Sequence, residues 1–183
     1  MRMLGVNEVI WIASLFYVSQ IALACDDVAG LEGCVSEYHK KSDLALNHQY
    51  QLSMKSLPLE LKGKLKTVEM LWLDYRKDVC GGLNTLDRLG CESSLMDQRT
   101  QELYFIERRF SQETGRGVYE LISKRYGGGA DSEILSEALE MQAQKETWSV
   151  YSSSHCDFVR EIIGEPVESC KIRLILEGWN GFR

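Results

Sequence analysis

The chain has 183 residues, of which 44% are hydrophobic, 26% charged and 9% aromatic, with only two prolines. This composition is typical of a folded protein with one or two domains, and it excludes a collagen-like, low-complexity or largely disordered chain. The 21 basic and 27 acidic residues give a net charge of −6. Because nucleic-acid binding requires clustered Lys and Arg, we expect no nucleic-acid ligand; an acidic protein suits a basic partner better.

Residues 1–24 have the pattern of a cleavable export signal. Arg2 precedes a mostly apolar stretch over 9–24, which closes on an Ala-Leu-Ala motif ending at Ala24. This stretch is shorter than the ~20 residues that a spanning helix needs, which disfavours a retained membrane anchor. Lipidation at Cys25 is a second alternative, but a bulky Leu stands where a small residue is preferred. We therefore expect cleavage after Ala24, a periplasmic or secreted protein, and no membrane span in the mature chain.

The cysteines indicate an oxidising environment. The signal has none, and the mature chain has six: Cys25, Cys34, Cys80, Cys91, Cys156 and Cys170. An even number in an exported protein predicts three disulfides, whereas lipidation of Cys25 would leave one thiol over. No two cysteines have the spacing of a zinc site, and the histidines are not near paired ligands in the sequence. We expect no metal and no cofactor.

One residue pattern occurs twice in the chain. The spacing W-x2-Y-x4-C is found at Trp72, Tyr75 and Cys80 and again, 76 residues later, at Trp148, Tyr151 and Cys156. A further cysteine follows each copy. The pattern predicts two related helical units. The alternative is a single domain whose late segment merely looks similar.

Apolar residues recur at helical spacing, and no segment shows the sustained alternation typical of strands. The pattern predicts a first helix over 35–55 and a second helix that Ser56 caps and Gly81 ends, with Pro58 in its first turn. A third helix is expected to open near Ser93 or the serine that follows it.

Glycines divide the C-terminal part of the chain. The pattern predicts a short helix over 118–125, a hinge at 127–129, a long helix from Asp131 or the next serine to Phe158, and a last helix over 166–177. The expected fold class is all-α, with a disulfide-stapled antiparallel helical hairpin or bundle and a partial second helical unit.

Two disulfide schemes fit these helices. If the first two helices form an antiparallel pair with its turn near Leu57, Cys34 and Cys80 lie equally far from the turn and can be bridged. Cys25 would then pair with Cys91. The repeat favours a second scheme, whose pairs are Cys25–Cys34, Cys80–Cys91 and Cys156–Cys170. The last pair is common to both schemes, and the connectivity otherwise stays open.

Two motifs and a following arginine stand together in the first half of the chain. Asp-x-x-Leu-Asn-x-x-Tyr and Trp-Leu-x-Tyr-Arg-x-x-x-Cys contribute Asp43, Leu46, Asn47, Tyr50, Trp72, Tyr75 and Arg76, and Arg99 follows Cys91. In combination these residues, called the signature residues below, resemble the lysozyme inhibitor LprI-like domain, a family of small exported bacterial helical proteins. We expect this domain over 25–114 and a C-terminal helical extension, resembling a partial repeat, over 115–183.

The resemblance implies inhibition of lysozyme-type hydrolases in the periplasm or outside the cell. Host lysozymes are typically basic, and an acidic surface would speed the encounter. Candidate acidic segments are Asp26-Asp27 with Glu32 and the stretch 131–140, whose alternative role is that of a plain solvated face. Because Trp72 and Tyr75 lie on the apolar stripe of their helix, we expect structural roles for the signature residues; the alternative for Asn47 is contact with a partner.

Other function classes have less support. The chain has no nucleophile elbow, phosphate loop, dinucleotide-binding motif or zinc-protease motif, so no enzyme is expected. The alternative to a lysozyme inhibitor is a periplasmic or secreted interaction or immunity protein with a different partner. Such a protein would also be exported, disulfide-locked, helical and acidic.

Overall fold

The computed structural model of the protein describes residues 28–111 and 145–180. The predicted export signal, Cys25, the hinge at 127–129 and the helix over 118–125 lie outside the described residues. The prediction of an all-α fold is confirmed. The helices of the described residues are α1 (Val28–Ser56), α2 (Leu59–Cys80), α3 (Thr85–Ser111), α4 (Glu146–Ile163) and α5 (Val167–Asn180). None of them is long and apolar enough to span a membrane.

The junction between α1 and α2 differs from the prediction. Ser56 does not cap α2, because it is the last residue of α1 and its hydroxyl donates to the Ser53 carbonyl over 3.0 Å. Pro58 takes the N-cap position instead, with φ −55° and ψ 152°. Proline has no backbone N–H to donate to the preceding helix, so α1 stops and α2 begins within two residues.

Helix α3 begins earlier than predicted. It starts at Thr85 rather than near Ser93, because Asn84 acts as the N-cap and its Oδ1 accepts the Asp87 backbone N–H over 3.0 Å. Asparagine is among the best N-cap residues, since its side chain satisfies a backbone donor that the helix leaves free. Cys91 therefore lies inside a helix rather than in a loop.

The long helix predicted up to Phe158 does not pass through Lys145. The backbone of Lys145 is extended, with φ −89° and ψ 114°, and α4 begins at the next residue. The predicted start of that helix, near Asp131, lies outside the described residues. Helix α4 also continues to Ile163, where Gly164 adopts φ 76° and ends it. A left-handed backbone of this kind costs glycine no steric strain.

Helix α1 packs along α3, not against α2. Its His39 is 2.8 Å from Glu92 near the start of α3, and its Ser53 hydroxyl donates to the Leu103 carbonyl over 2.9 Å further along. Both residue numbers increase together, so α1 and α3 run in the same direction. α1 and α2 therefore do not form the directly packed hairpin that was predicted, whereas the disulfide-stapled antiparallel bundle is confirmed by α2 with α3 and by α4 with α5. The antiparallel neighbours of α2 are α3 and α4, and those of α5 are α4 and α3.

This packing determines which cysteines are bonded to each other. Cys80 pairs with Cys91 across α2 and α3, with 5.8 Å between their Cα atoms, and Cys156 pairs with Cys170 across α4 and α5, with 5.6 Å. The Cys34–Cys80 pairing is thus wrong, because Cys80 is bonded to Cys91. Cys34 is itself disulfide-bonded. The two described pairs agree with the scheme that the repeat favours.

The two copies of the repeat meet in the core. The rings of Tyr75 and Tyr151 stack with centroids 5.6 Å apart, and Trp148 lies 5.4 Å from Tyr75. These residues and Trp72 are buried. Equivalent positions of α2 and α4 therefore face each other, and both contribute to the same hydrophobic cluster.

Replacing Cys156 and Cys170 together by serine should lower the free energy of unfolding by about 3 kcal/mol. The bridge closes a segment of 14 residues. Without the bridge, the unfolded chain has more conformational entropy, which favours unfolding. Urea unfolding of the oxidised variant and the wild type measures the difference. A peptide map that joins Cys34 to Cys80, or a variant as stable as the wild type, would contradict this account.

Candidate functional site

A network of charged side chains, bridged by one histidine, runs through the interior in contact with the aromatic cluster. The members of this ionic network are Glu69 on α2, Arg99 and Glu102 on α3, His155 on α4, Glu165 in the turn after α4, and Arg173 on α5. All are buried except Glu69, whose side chain is 14% exposed. The network thus joins four helices and a turn.

Arg99 forms one end of the network. Its Nε and Nη2 donate to Oε2 of Glu69 over 2.9 and 2.8 Å, and its Nη1 lies 3.1 Å from Nδ1 of His155. Burial opposes the charge of this guanidinium, but Glu69 and Tyr151 outweigh it, so the pKa of Arg99 stands above its ordinary value. Arg99 is a buried cation that depends on a carboxylate from another helix.

The hydrogen bonds assign the proton of His155. A guanidinium can only donate, so Nδ1 of His155 must accept from Arg99 and carries no proton. The proton then lies on Nε2, which donates to Oε2 of Glu102 over 2.7 Å. The imidazole is therefore neutral and bridges a cation and an anion.

Arg173 forms the other end. Its Nε and Nη2 donate to the two carboxylate oxygens of Glu165 over 2.9 and 2.7 Å, and its Nη1 donates to Oε1 of Glu102. Glu102 thus connects the two arginines through His155. Because an unpaired buried charge is costly, each of these side chains fixes the position of its neighbours.

The structure divides the signature residues by exposure. Leu46, Trp72, Tyr75 and Arg99 are buried, as are the repeat residues Trp148 and Tyr151, and none of them is open to a partner. Asp43 and Asn47 are exposed on α1. Nδ2 of Asn47 donates to the Asp43 carbonyl over 2.9 Å and to its carboxylate over 3.1 Å, so these two residues form a local pair.

Tyr50 and Arg76 are the half-buried signature residues. Burial and the nearby charge of Glu69 raise the pKa of Tyr50. The guanidinium carbon of Arg76 lies 5.1 Å from the ring centroid of Trp72. This cation–π contact holds the aliphatic part of Arg76 against the helix and directs its charge outward.

Residues 24–103 match the family described as Lysozyme inhibitor LprI. The resemblance carried by the signature residues is confirmed. The match covers somewhat less than half of the chain, and its family is one of inhibitors rather than of enzymes. No curated protein and no solved structure matches the chain. The disulfides and the match together indicate an extracytoplasmic protein.

The hairpin of α4 and α5 covers one side of the LprI segment, as residues 24–103 are called below. It supplies the stacked Tyr151, half of the ionic network, and the Glu161 carboxylate that binds Lys64 of α2 over 2.6 Å. A partner of the LprI segment must therefore approach α1, the outer side of α2, or the end of the α2–α3 hairpin.

A groove of about 510 Å³ lies at that end of the hairpin. Arg76, Lys77 and Arg88 line it together with Asp74 and Glu92. Among the residues that the structure describes, no cluster of three or more His, Cys, Asp or Glu could hold a metal ion. The charged lining suits the groove to charge–charge contacts.

The sequence reasoning missed most of the ionic network. Of its members only Arg99 was singled out, as a signature residue. His155 did give a signal, because it stands on the apolar stripe of α4 that Tyr151 and Val159 define, four residues from each. A polar residue at a core position of a helix must find a buried partner. The pattern could not show which helix supplies that partner.

Arg99→Met should lower the free energy of unfolding by about 3–5 kcal/mol, because it takes the cation away from Glu69 and the buried His155. Urea unfolding checks this value. The control is Arg160→Met, which breaks an exposed pair with Asp157 at 3.0 Å and should cost less than about 1 kcal/mol. Equal, small losses in both variants would contradict the role assigned to the network.

Alkaline pH should destabilise the protein through Tyr75. Burial, with the charge of Asp78 adding to it, raises the pKa of Tyr75 to about 12. The folded state keeps the phenol neutral while the unfolded state ionises near pH 10, so this contribution is intact below pH 10 and is lost as the pH rises toward 12. The decrease reaches up to about 3 kcal/mol.

The phenylalanine variant isolates this effect. Tyr75→Phe keeps the ring stack but cannot ionise, so its free energy of unfolding should fall less between pH 10 and 12 than that of the wild type. Tyr104→Phe, at a position that is 42% exposed, is the matched control. Its free energy of unfolding should fall between pH 10 and 12 as much as that of the wild type. If the free energy of unfolding of all three proteins falls equally over this pH range, Tyr75 is not the group responsible.

Proposed function

We propose that this protein binds a lysozyme-type peptidoglycan hydrolase outside the cytoplasm and inhibits it by blocking the substrate cleft. The match of residues 24–103 to a lysozyme inhibitor family is the observation that supports this function. We further propose that the mature protein begins at Cys25 after export and acts in the periplasm or the medium. The disulfides make it resistant to unfolding there.

The charge distribution favours a basic hydrolase as the partner, though not through residues 28–111, which include most of the LprI segment. Residues 28–111 contain twelve basic and twelve acidic residues, so their sum is zero. The whole surplus of −6 lies in the remainder of the chain. Of the predicted acidic segments, Glu32 is exposed on α1, whereas 131–140 lies outside the described residues. Long-range attraction to a basic protein would thus come from beyond 28–111.

Complementary roles follow for the two parts of the chain. The hairpin of α4 and α5 holds the LprI segment rigid, since it supplies the partners of Arg99 and Tyr75. A rigid binding surface loses little conformational entropy on association, which favours tight inhibition. The remaining acidic residues raise the rate of encounter with a basic enzyme.

The purified, oxidised protein from Cys25 onward should protect bacterial cell walls from lysis by a basic lysozyme in a dose-dependent manner. Turbidity of a cell-wall suspension measures this protection. Reduction of the disulfides should abolish it, because the helix pairs that they join loosen. Protection should also weaken as the salt concentration rises, since salt screens the attraction between the acidic protein and the basic enzyme.

The control is a hydrolase that cleaves peptide bonds of the cell wall, against which no protection is expected. Absence of protection at a large molar excess against several lysozyme types would contradict the proposed function. The chain would then be an exported interaction or immunity protein with a different partner. If salt does not alter the protection, the protein is still an inhibitor, but its acidic residues do not speed its encounter with the enzyme.

A further inference from the structure

We propose that the groove at the end of the α2–α3 hairpin is the surface that meets the catalytic carboxylates of the hydrolase, with Arg76 and Arg88 as the contacting cations. This inference rests on the proposed function and assigns its binding surface. Glycoside hydrolases of the lysozyme type use a pair of carboxylates on either side of the scissile bond. An inhibitor that places cations against them would engage the reacting groups directly.

The cations of this groove are available for a partner. Among the described residues, no carboxylate lies within ion-pair distance of Arg76, Lys77 or Arg88. The lining acid Glu92 is already engaged by His39 at 2.8 Å, and Asp74 is the other acid of the groove. The lining thus presents more positive than negative charge.

Acidic residues that flank the groove are also engaged within the fold. Asp78 accepts a hydrogen bond from the Thr147 hydroxyl over 2.7 Å, and Asp87 accepts one from Asn84 Nδ2 over 2.6 Å. Their carboxylates are therefore held by neighbouring donors. The nearby guanidinium groups, by contrast, point to the groove.

A second cleft, between α2 and α4, shows the contrast. It is of similar size, about 610 Å³, and its lining includes two cations, Lys64 and Arg160. Lys64 binds Glu161 at 2.6 Å and Arg160 binds Asp157 at 3.0 Å, so both charges are matched by acids of the same cleft. Of these two sites in the described part of the chain, the hairpin groove is the one whose cations are not matched by acids and can meet an anionic partner.

The groove is also built to keep its shape. The Cys80–Cys91 disulfide joins the two helices beside it, Trp72 holds the Arg76 side chain, and Asn84 caps α3 next to Arg88. The turn residues at this end are exposed, and Leu73, which is 43% exposed, adds an apolar surface to the lining. Arginine is among the residues enriched in binding hot spots.

The two electrostatic properties of the protein would then act at different distances. At long range its net charge of −6 attracts a basic enzyme. At contact range a locally cationic groove meets the acidic centre of the enzyme's cleft. Arginine suits this role because its planar guanidinium binds carboxylates in a bidentate manner.

The test compares two double variants of the full mature protein. Arg76→Gln with Arg88→Gln should weaken lysozyme inhibition roughly tenfold or more. The control, Lys55→Gln with Lys66→Gln, removes the same charge from exposed positions of α1 and α2 and should leave inhibition within about twofold. Circular dichroism checks that both variants remain helical.

Calorimetry with an altered enzyme gives an independent measurement on the unmodified inhibitor. A lysozyme whose general-acid glutamate is replaced by glutamine should bind the wild-type protein more weakly than the normal enzyme does. Equal affinity for both enzymes, or equal inhibition by the groove and control variants, would overturn the inference while the proposed function stands.

A third variant tests the competing surface on α1. If Asp43→Ala with Asn47→Ala loses inhibition and the groove variant does not, the contact surface lies on α1 and the inference is wrong. If the wild-type protein binds no lysozyme at all, the proposed function itself fails. These results are therefore distinguishable from one another.

Discussion

The buried ionic network is the constraint on which the arrangement of the helices depends. Charged groups can leave water only if each one meets a partner of suitable charge or hydrogen-bonding capacity. Arg99 meets this condition through Glu69 and His155, and Glu102 through His155 and Arg173. Since these partners come from α2, α3, α4 and α5, no helix of that set can shift without exposing a charge to the apolar interior. The stacked tyrosines of the repeat add hydrophobic packing to the ionic network.

The same arrangement determines which parts of the LprI segment remain open to a partner. Trp72, Tyr75 and Arg99 carry much of the family resemblance, yet all three are buried, and Tyr75 and Arg99 contact the hairpin of α4 and α5. Their contacts lie within the fold rather than on its surface. The surface left for recognition includes the end of the α2–α3 hairpin, where Arg76 extends from its buried neighbour Trp72 into a groove. One signature thus combines core residues with a surface cation.

Local patterns in the sequence predicted most of the helices and the Cys156–Cys170 bridge, because each depends on residues close together in the chain. The recurrence of one pattern predicted the repeat but not that its two copies face each other. The side-by-side packing of α1 and α3 was missed, since periodicity shows which face of a helix is apolar but not which helix covers it. The early start of α3 was missed because the prediction placed its cap at the serines 93 and 94, whereas the structure has Asn84 as the N-cap. The network joins residues more than 50 positions apart, such as Glu102 and His155, and a sequence pattern does not specify such pairs.

Hydrogen–deuterium exchange of the full mature protein, with and without lysozyme, tests the central claim most directly. The account predicts that lysozyme slows exchange in the peptides spanning 76–92, at the groove, and leaves those of α4 and α5 unchanged, because that hairpin is an internal support. Protection confined to α4 and α5, or faster exchange there, would contradict it. Such a result would mean that the partner displaces the hairpin and reaches the buried signature residues.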